Sequence, residues 1–275
     1  MKKILCDKPH RWPNLIKILG ITPLTLLMLM SIAGAEPIDH GDHPLPNSNA
    51  INPIALVYRG PAGGPGLSEA AAALLKSDTN QNFNNDNVIY VGPKEKYSVQ
   101  AGLRLPGVVL YVQPGGVGTL NQAYSKVKKD APAIRNFVSN GGRYLGLCMG
   151  GYMVDNDPGY GLGLNTNQYI ITQDAVVKTP VDTVIPVFWR ETMRYMYFQD
   201  GPYFIPDSSG KGQIIIATYT NGLVSAMVQS YGNGKIGVSG MHPEALASWY
   251  EAYGLYDPDG LDAAQGHDLI DTLMQ

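Results

Sequence analysis

Arg143-Tyr-Leu-Gly-Leu-Cys-Met-Gly-Gly-Tyr152 is the stretch that decides the reading of this chain. Its first half, Arg143 to Leu147, is a short apolar run of the kind found in strands buried on both faces. The run breaks into glycines around one thiol, Cys148, with Gly146 and Gly150 two residues to either side. A sharp turn from strand into helix crowds those two positions, and glycine relieves the clash. The same geometry underlies the Gly-x-Ser-x-Gly elbow of serine hydrolases. A thiol at a helix start faces unpaired N–H groups and a partial positive charge, and both favour the nucleophilic thiolate. Taken alone, Gly-x-Cys-x-Gly is equally compatible with a buried structural cysteine.

The compartment bears on that choice. The chain has two cysteines, Cys6 and Cys148. Cys6 lies in a segment with the order of a secretory signal. Lys2, Lys3, Lys8, Arg11 and Lys17 precede an apolar stretch, Ile18 to Ile32, and then Ala33-Gly-Ala35. That stretch is shorter than the ~20 residues a spanning helix needs, and Pro23 interrupts it. The alternative is an uncleaved anchor. Cleavage after residue 35 leaves Cys148 as the single thiol of an exported, periplasmic or secreted protein, where an unpaired thiol is a liability unless it has a task. It also leaves 15 basic against 22 acidic residues, a net charge of −7. A mildly acidic protein without a basic run has no footprint for nucleic acid. No later segment is long and apolar enough to meet a membrane again.

Residues 36–52 are polar, dotted with proline and without periodicity, and read as a flexible linker. His40-Gly-Asp-His43 has the residue types of a weak metal site, but on a segment without preorganisation it reads as a solvated tail. No metal and no cofactor is expected.

From Pro53 the pattern changes. Ile54–Tyr58, Val88–Val91 and Gly107–Val112 are apolar runs that predict buried strands. Leu67–Lys76 predicts a helix by propensity, and 119–139 a helix broken near Pro132. Unbroken apolar strands alternating with helices predict an α/β fold with a mainly parallel sheet. The second half differs. Tyr169–Thr172, Arg194–Phe198, Gln213–Tyr219, Leu223–Tyr231 and Lys235–Ser239 are strand-like, with a hairpin turn expected at Asn233-Gly234. Residues 244–252 and 262–274 read as closing helices. Without an internal repeat or clear inter-domain linker, 53–275 reads as one domain, with an antiparallel portion added to the parallel sheet.

A nucleophilic thiol needs a base. Downstream of residue 35 the histidines are His40, His43, His242 and His267. The first two lie in the linker and His267 in a polar turn, which leaves His242, in Gly240-Met-His-Pro-Glu-Ala245. Pro243 biases His242 to an extended backbone, where residues two apart point the same way. His242 and Glu244 then share a face, giving a base and the carboxylate that orients it. The competing reading is a surface turn whose Glu opens the next helix. Gln113-Pro-Gly-Gly-Val117 follows a strand and leaves backbone N–H groups open. Together with the Met149 amide, Gly115 and Gly116 have the makings of an oxyanion hole, although a lone Pro-Gly-Gly is a common turn. Trp189-Arg190, Arg194–Phe198 and Gly201–Tyr203 are candidates for a pocket wall, with Arg190 or Arg194 holding a carboxylate, or else are core and turn aromatics.

Pro-Gly-Gly after a strand, Gly-x-Cys-x-Gly some 30 residues on and His-Pro-Glu near the C-terminus together resemble the class I glutamine amidotransferase-like superfamily. Within it the chain is most similar to the N-terminal domain of eukaryotic biotin-protein ligases and its stand-alone bacterial relatives. Val57–Pro61, Val112–Gly116, Phe137–Tyr152 and Met241–Glu244 carry the likeness, which spans roughly residues 53–250. The resemblance implies a flavodoxin-like three-layer sandwich with Cys148 as nucleophile, His242 as base, Glu244 as its orienter and backbone donors near Gly116 and Met149. No biotin-ligase catalytic domain follows, so biotin transfer is not implied. Glutamine-using members carry Gly-x-Cys-x-Gly-x-Gln, whereas this chain has Tyr152 in place of that Gln, which argues against glutamine as substrate.

The leading expectation is therefore an exported cysteine-dependent amidase acting on a small molecule or peptide, with Tyr152, Arg190 and Arg194 as candidate substrate contacts. The alternatives are a binding module on the same fold without turnover, and a redox-sensing thiol. The sequence is silent on substrate identity and on oligomeric state.

Overall fold

Strands that read as unbroken apolar runs do so because they serve two cores at once. The structure, a computed structural model, describes residues 52–164 and 181–275. The leader, the linker as far as residue 51 with His40 and His43, and the expected strand Tyr169–Thr172 lie outside the described residues. The strands are β1 (Ile54–Tyr58), β2 (Val88–Val91), β3 (Val108–Gln113), β4 (Arg143–Leu147), β5 (Thr183–Trp189), β6 (Thr192–Phe198), β7 (Gln213–Tyr219), β8 (Val224–Tyr231) and β9 (Gly234–Ser239). They form one sheet in the order β2-β1-β3-β4-β9-β8-β7-β5-β6. The first five of that order run parallel, and β8, β7, β5 and β6 are joined by antiparallel pairings.

Successive strand residues point to opposite faces. Val57, Val112 and Leu145 face one core, which holds Ala71 and Leu75 of α1 (Leu67–Ser77) and Leu269 and Leu273 of the C-terminal helix Ala263–Met274. Their neighbours Leu56, Tyr111 and Tyr144 face the other core, against helices Leu120–Val127 and Ala131–Ser139. Helices cover both faces of the parallel half of the sheet, and four antiparallel pairings match its four parallel ones, so the fold is the flavodoxin-like sandwich that the resemblance implies, with a larger antiparallel portion than expected. The parallel half has the doubly wound order 2-1-3-4-9, whose ligand crevice lies outside the carboxyl ends of the strands.

Between residues 119 and 139 the helical stretch divides as expected. Thr119 and Gln122 form a reciprocal capping box at its start, which satisfies two otherwise orphaned amides. A single 3-10 turn, Lys128–Asp130, then leads into a helix with Pro132 in its first turn, where the missing N–H costs nothing.

Three local expectations are revised. The strand β5 was not anticipated, because Pro186 lies inside it and proline weakens a strand reading. Its pairing with β7 covers only Val187–Trp189, so Pro186 stays clear of that ladder. The β8–β9 turn is centred one residue earlier than Asn233-Gly234. Tyr231 pairs with Gly234, and only Gly232, at φ 60°, takes a positive φ. The helix after Cys148 is one turn, Met149–Tyr152, so a long helix dipole is not available to the thiol. No helix among the described residues is long and apolar enough to cross a membrane.

Candidate active site

Neighbouring strand ends bring the chemistry together. β3 ends in the Pro-Gly-Gly turn, β4 ends at Cys148, and β9 leads through Gly240-Met to His242. Since β4 pairs with both β3 and β9 in parallel, the three carboxyl ends lie side by side.

Cys148 turns the chain sharply. Its φ of 49° and ψ of −108° are unusual for a residue with a side chain, a conformation that costs ~1–3 kcal/mol and persists only when its surroundings hold it. The Cys148 amide donates to the Ser239 carbonyl of β9 at 2.8 Å, and its own carbonyl accepts from Gly151 at 2.8 Å. The flanking glycines are required by contact. A Cβ on Gly146 would lie 2.5 Å from the Gly150 carbonyl oxygen, and one on Gly150 would lie 2.0 Å from the Gln113 carbonyl oxygen. The elbow is thus pressed against β3 as closely as backbone allows.

The thiol is 6% exposed and faces the ring of His242, which is 3% exposed. Cys148 and His242 line the same cavity, and the thiol donates to the Gln199 carbonyl oxygen at 3.5 Å. On the far side of the ring, His242 Nδ1 is 2.9 Å from Glu244 Oε1. Glu244 is buried, and its second oxygen, Oε2, has no partner among the described residues. Three aromatic rings crowd round: Tyr197 and Trp249 meet the imidazole edge-on at 5.8 and 5.5 Å, and Tyr250 meets Tyr197 at 5.3 Å. Burial alone would push the imidazole pKa down. The negative charge of Glu244, then Cys148, outweighs burial and holds it well above its ordinary value.

Opposite the thiol lies the glycine turn. A Cβ on Gly115 would lie 3.1 Å from His242 Cε1 and 3.7 Å from Cys148 Cβ, and one on Gly116 would lie 2.5 Å from the Met149 sulfur. The Gly115 carbonyl is tied down by the Gly64 amide at 3.1 Å. Gly115, Gly116 and Met149 are therefore gathered beside Cys148.

Cys148, His242 and Gly116 share a small cavity with Leu67 and Gln199, and Asp182, Tyr197, Trp249 and Tyr253 close its remaining sides. Its free volume is about 10 Å³, close to the space of a single water molecule. Tyr253, 43% exposed, stands at its outer edge. The hydroxyl of Tyr197 donates to Asp182 Oδ1, and burial and Asp182 together push the Tyr197 phenol far up.

The structure does not bring every anticipated residue here. Tyr152 is buried in the core on the opposite side of the elbow, its hydroxyl donating to the Asp200 carbonyl at 3.0 Å; it does not line the cavity. Arg190 sits in the β5–β6 turn and is committed to Asp268 at 2.9 Å and to the Thr272 hydroxyl at 2.7 Å. Arg194 is paired with Asp259 and Asp262, both at 3.2 Å. Both arginines hold the protein's own carboxylates, so neither offers its charge to a ligand at Cys148. Of the anticipated aromatic walls, Tyr197 reaches the cavity, whereas Trp189 donates to Asp268 elsewhere. Asp182, Gln199 and Trp249 carried no sequence signal. Gln199 acts through a carbonyl that every residue possesses, and Asp182 and Trp249 are brought in by β5 and the helix Ala247–Tyr253.

Residues 105–172, from just before β3 through the Cys148 elbow, match the family described as biotin-protein ligase, N terminal. His242 and Glu244 lie beyond the match. No protein with a curated description matches the chain significantly. Among solved structures the chain is similar to a glutamine amidotransferase, with 16% identity and a TM-score of 0.49 over 69% of this chain and 90% of that one. It is also similar to a putative GMP synthase component from Thermoplasma acidophilum, with 11% identity and a TM-score of 0.39 over 80% and 94%. A β-galactosidase from Bacillus circulans sp. alkalophilus is similar over 81% of this chain but only 30% of its own length, with 10% identity and a TM-score of 0.46. The elbow segment is thus similar to the biotin-protein ligase N-terminal family.

Proposed function

We propose that the protein is an exported cysteine-dependent hydrolase that cleaves amide C–N bonds. The observation that carries the reading is the buried arrangement of Cys148 and His242 on one cavity with Glu244 Oε1 2.9 Å behind the imidazole, where, against burial, the Glu244 charge raises the His242 pKa. A protonated imidazole is the counter-charge that a Cys148 thiolate needs. The thiolate attacks the amide carbonyl carbon, and the oxygen, now negative, is held by the amides of Gly115, Gly116 and Met149. The S–C bond forms, the C–N bond breaks, and His242 gives its proton to the departing nitrogen. Neutral His242 then takes a proton from water, which attacks the thioester and releases the acid. Glu244 keeps the ring in the orientation and tautomer that both steps require.

Export rests on the leader-like residues 1–35, and mass spectrometry of the protein recovered from its host checks it by locating the N-terminus. The catalytic reading is tested by the rate at which a Cys-directed acylating probe labels Cys148. Labelling well above that of a model thiol, lost in His242→Ala, is expected. Labelling no faster than the model thiol, unchanged in His242→Ala, would overturn it. A second reading, a binding module without turnover, is favoured by the cavity of about 10 Å³, which takes a substrate amide only after Tyr253 or its neighbours swing outward. Ligand binding that survives Cys148→Ser, without turnover of any amide, ester or peptide, would support it over catalysis.

A further inference from the structure

We propose that the Cys148 site selects amides that carry a cationic group, a primary ammonium or guanidinium, near the reacting carbonyl, with Asp182 as counter-charge and the rings of Tyr197, Trp249 and Tyr253 as its walls. The inference rests on the reading of Cys148 as nucleophile and adds what that reading leaves open, the class of substrate.

Charge on the cavity wall carries the argument. Among the described residues that line it, no Lys or Arg is present, and Asp182 is the one carboxylate. Glu244 lies directly behind His242 and adds a second negative charge. The thiolate–imidazolium pair sums to zero, so a substrate meets a net negative surround. The nearest arginines in the pocket-wall segment are spent on Asp268, Asp259 and Asp262. A substrate carboxylate finds no partner here and is repelled.

Asp182 is half-buried and makes no ion pair with a Lys or Arg among the described residues. One of its oxygens accepts the Tyr197 hydroxyl, which fixes the carboxylate in place. A fixed, half-buried carboxylate without its cation suits an incoming ammonium or guanidinium. The aromatic lining adds to this, because ring faces attract cations by about 0.5–2 kcal/mol, depending on how dry the contact is. Carboxylate and rings stand on the same small cavity as Cys148, so the cation is held close to the reacting carbon.

The test uses the full chain and three chloroacetamides of similar size: N-(2-aminoethyl), N-propyl and N-(carboxymethyl). In each, the Cys148 thiolate displaces chloride, forming a C–S bond, and intact-mass spectrometry follows the rate. Each rate is divided by that of 2-mercaptoethanol with the same reagent. The ammonium reagent should exceed the neutral one by about tenfold or more, ~1.4 kcal/mol, and the carboxylate reagent should be slowest. In Asp182→Asn the ammonium-to-neutral ratio should fall towards one. Equal rates for all three reagents, or a preference kept in Asp182→Asn, would overturn the proposal and leave the nucleophile reading standing. Labelling by all three no faster than that of the model thiol would remove both. Should Asp182→Asn not fold, the three reagents on the unaltered protein decide the matter alone.

Discussion

Replacing Glu244 with Gln isolates the charge behind His242 from its shape. Gln keeps the volume and a hydrogen-bonding oxygen at the site where Glu244 Oε1 meets His242 Nδ1 at 2.9 Å, but removes the negative charge. Both residues are at least 97% buried, so solvent screens the pair little. An opposite charge at this range raises a base, while burial pulls the imidazole the other way. In Glu244→Gln the His242 titration midpoint should therefore fall. The sign for stability follows. A base whose folded pKa is raised stabilises the fold fully below its unfolded value, near 6.5, and loses that contribution as pH rises through its folded pKa. Wild type should exceed Glu244→Gln in stability most at pH 6, with the gap closing as pH climbs past the folded midpoint. The imidazole signals of His242, followed by NMR across pH 5–10, and urea melts at matched pH supply the two readouts. A midpoint that stays put in Glu244→Gln, or a stability gap that widens with pH, would refute the charge argument.

Three further outcomes are expected. Gly150→Ala forces a methyl to within 2.0 Å of the Gln113 carbonyl oxygen. It should cost ~1–3 kcal/mol, lower Tm by roughly 2–12 °C and slow Cys148 labelling, as calorimetry and probe kinetics will show; an unchanged Tm would mean the elbow is not pressed on β3. Asp262 is buried, and burial with the neighbouring Asp257 and Asp259 outweighs Arg194 and pushes its carboxyl up to about 7. Its contribution to stability is present below pH ~4 and lost as pH rises through 7. Asp262→Asn should therefore flatten the decline of stability between pH 5 and 8 in denaturant melts, and a decline as steep as wild type would contradict this. Tyr253→Ala removes the exposed outer wall of the cavity. Bulky acylating probes should then label Cys148 several-fold faster, with a stability change within about 1 kcal/mol; unaltered labelling of bulky probes would show that entry lies elsewhere.

How much of this was legible in the sequence depends on the range of each interaction. The parallel strands could be read because Leu56 and Val57, or Tyr144 and Leu145, must both be apolar when helices cover both faces. His242 and Glu244 do meet, but through a turn closed by the Ala245 amide on the His242 carbonyl at 3.0 Å rather than along the extended backbone expected; the glycines around Cys148 could be read because crowding at an elbow is local. Arg190 and Arg194 were misread for the opposite reason. Their partners, Asp268, Asp259 and Asp262, come from the C-terminal segment, and no local pattern shows that a cation is already spoken for. The same holds for Asp182 and Trp249, which reach Cys148 only through tertiary packing. β5 drew no reading from the sequence, and Pro186 lies inside the strand its neighbours form.

The bond from the Cys148 amide to the Ser239 carbonyl has a consequence for the order in which the site assembles. β4 and β9 are neighbours in the sheet, yet β5 to β8 come between them along the chain. Closing so long a loop is slow and comes late in folding. Until β9 docks, the elbow lacks the bond that holds its strained backbone, and His242, just beyond β9, is absent from the thiol. Cys148 and His242 are thus brought together only when β9 docks on β4. A chain without that pairing has neither the bond that anchors the elbow nor His242 beside Cys148.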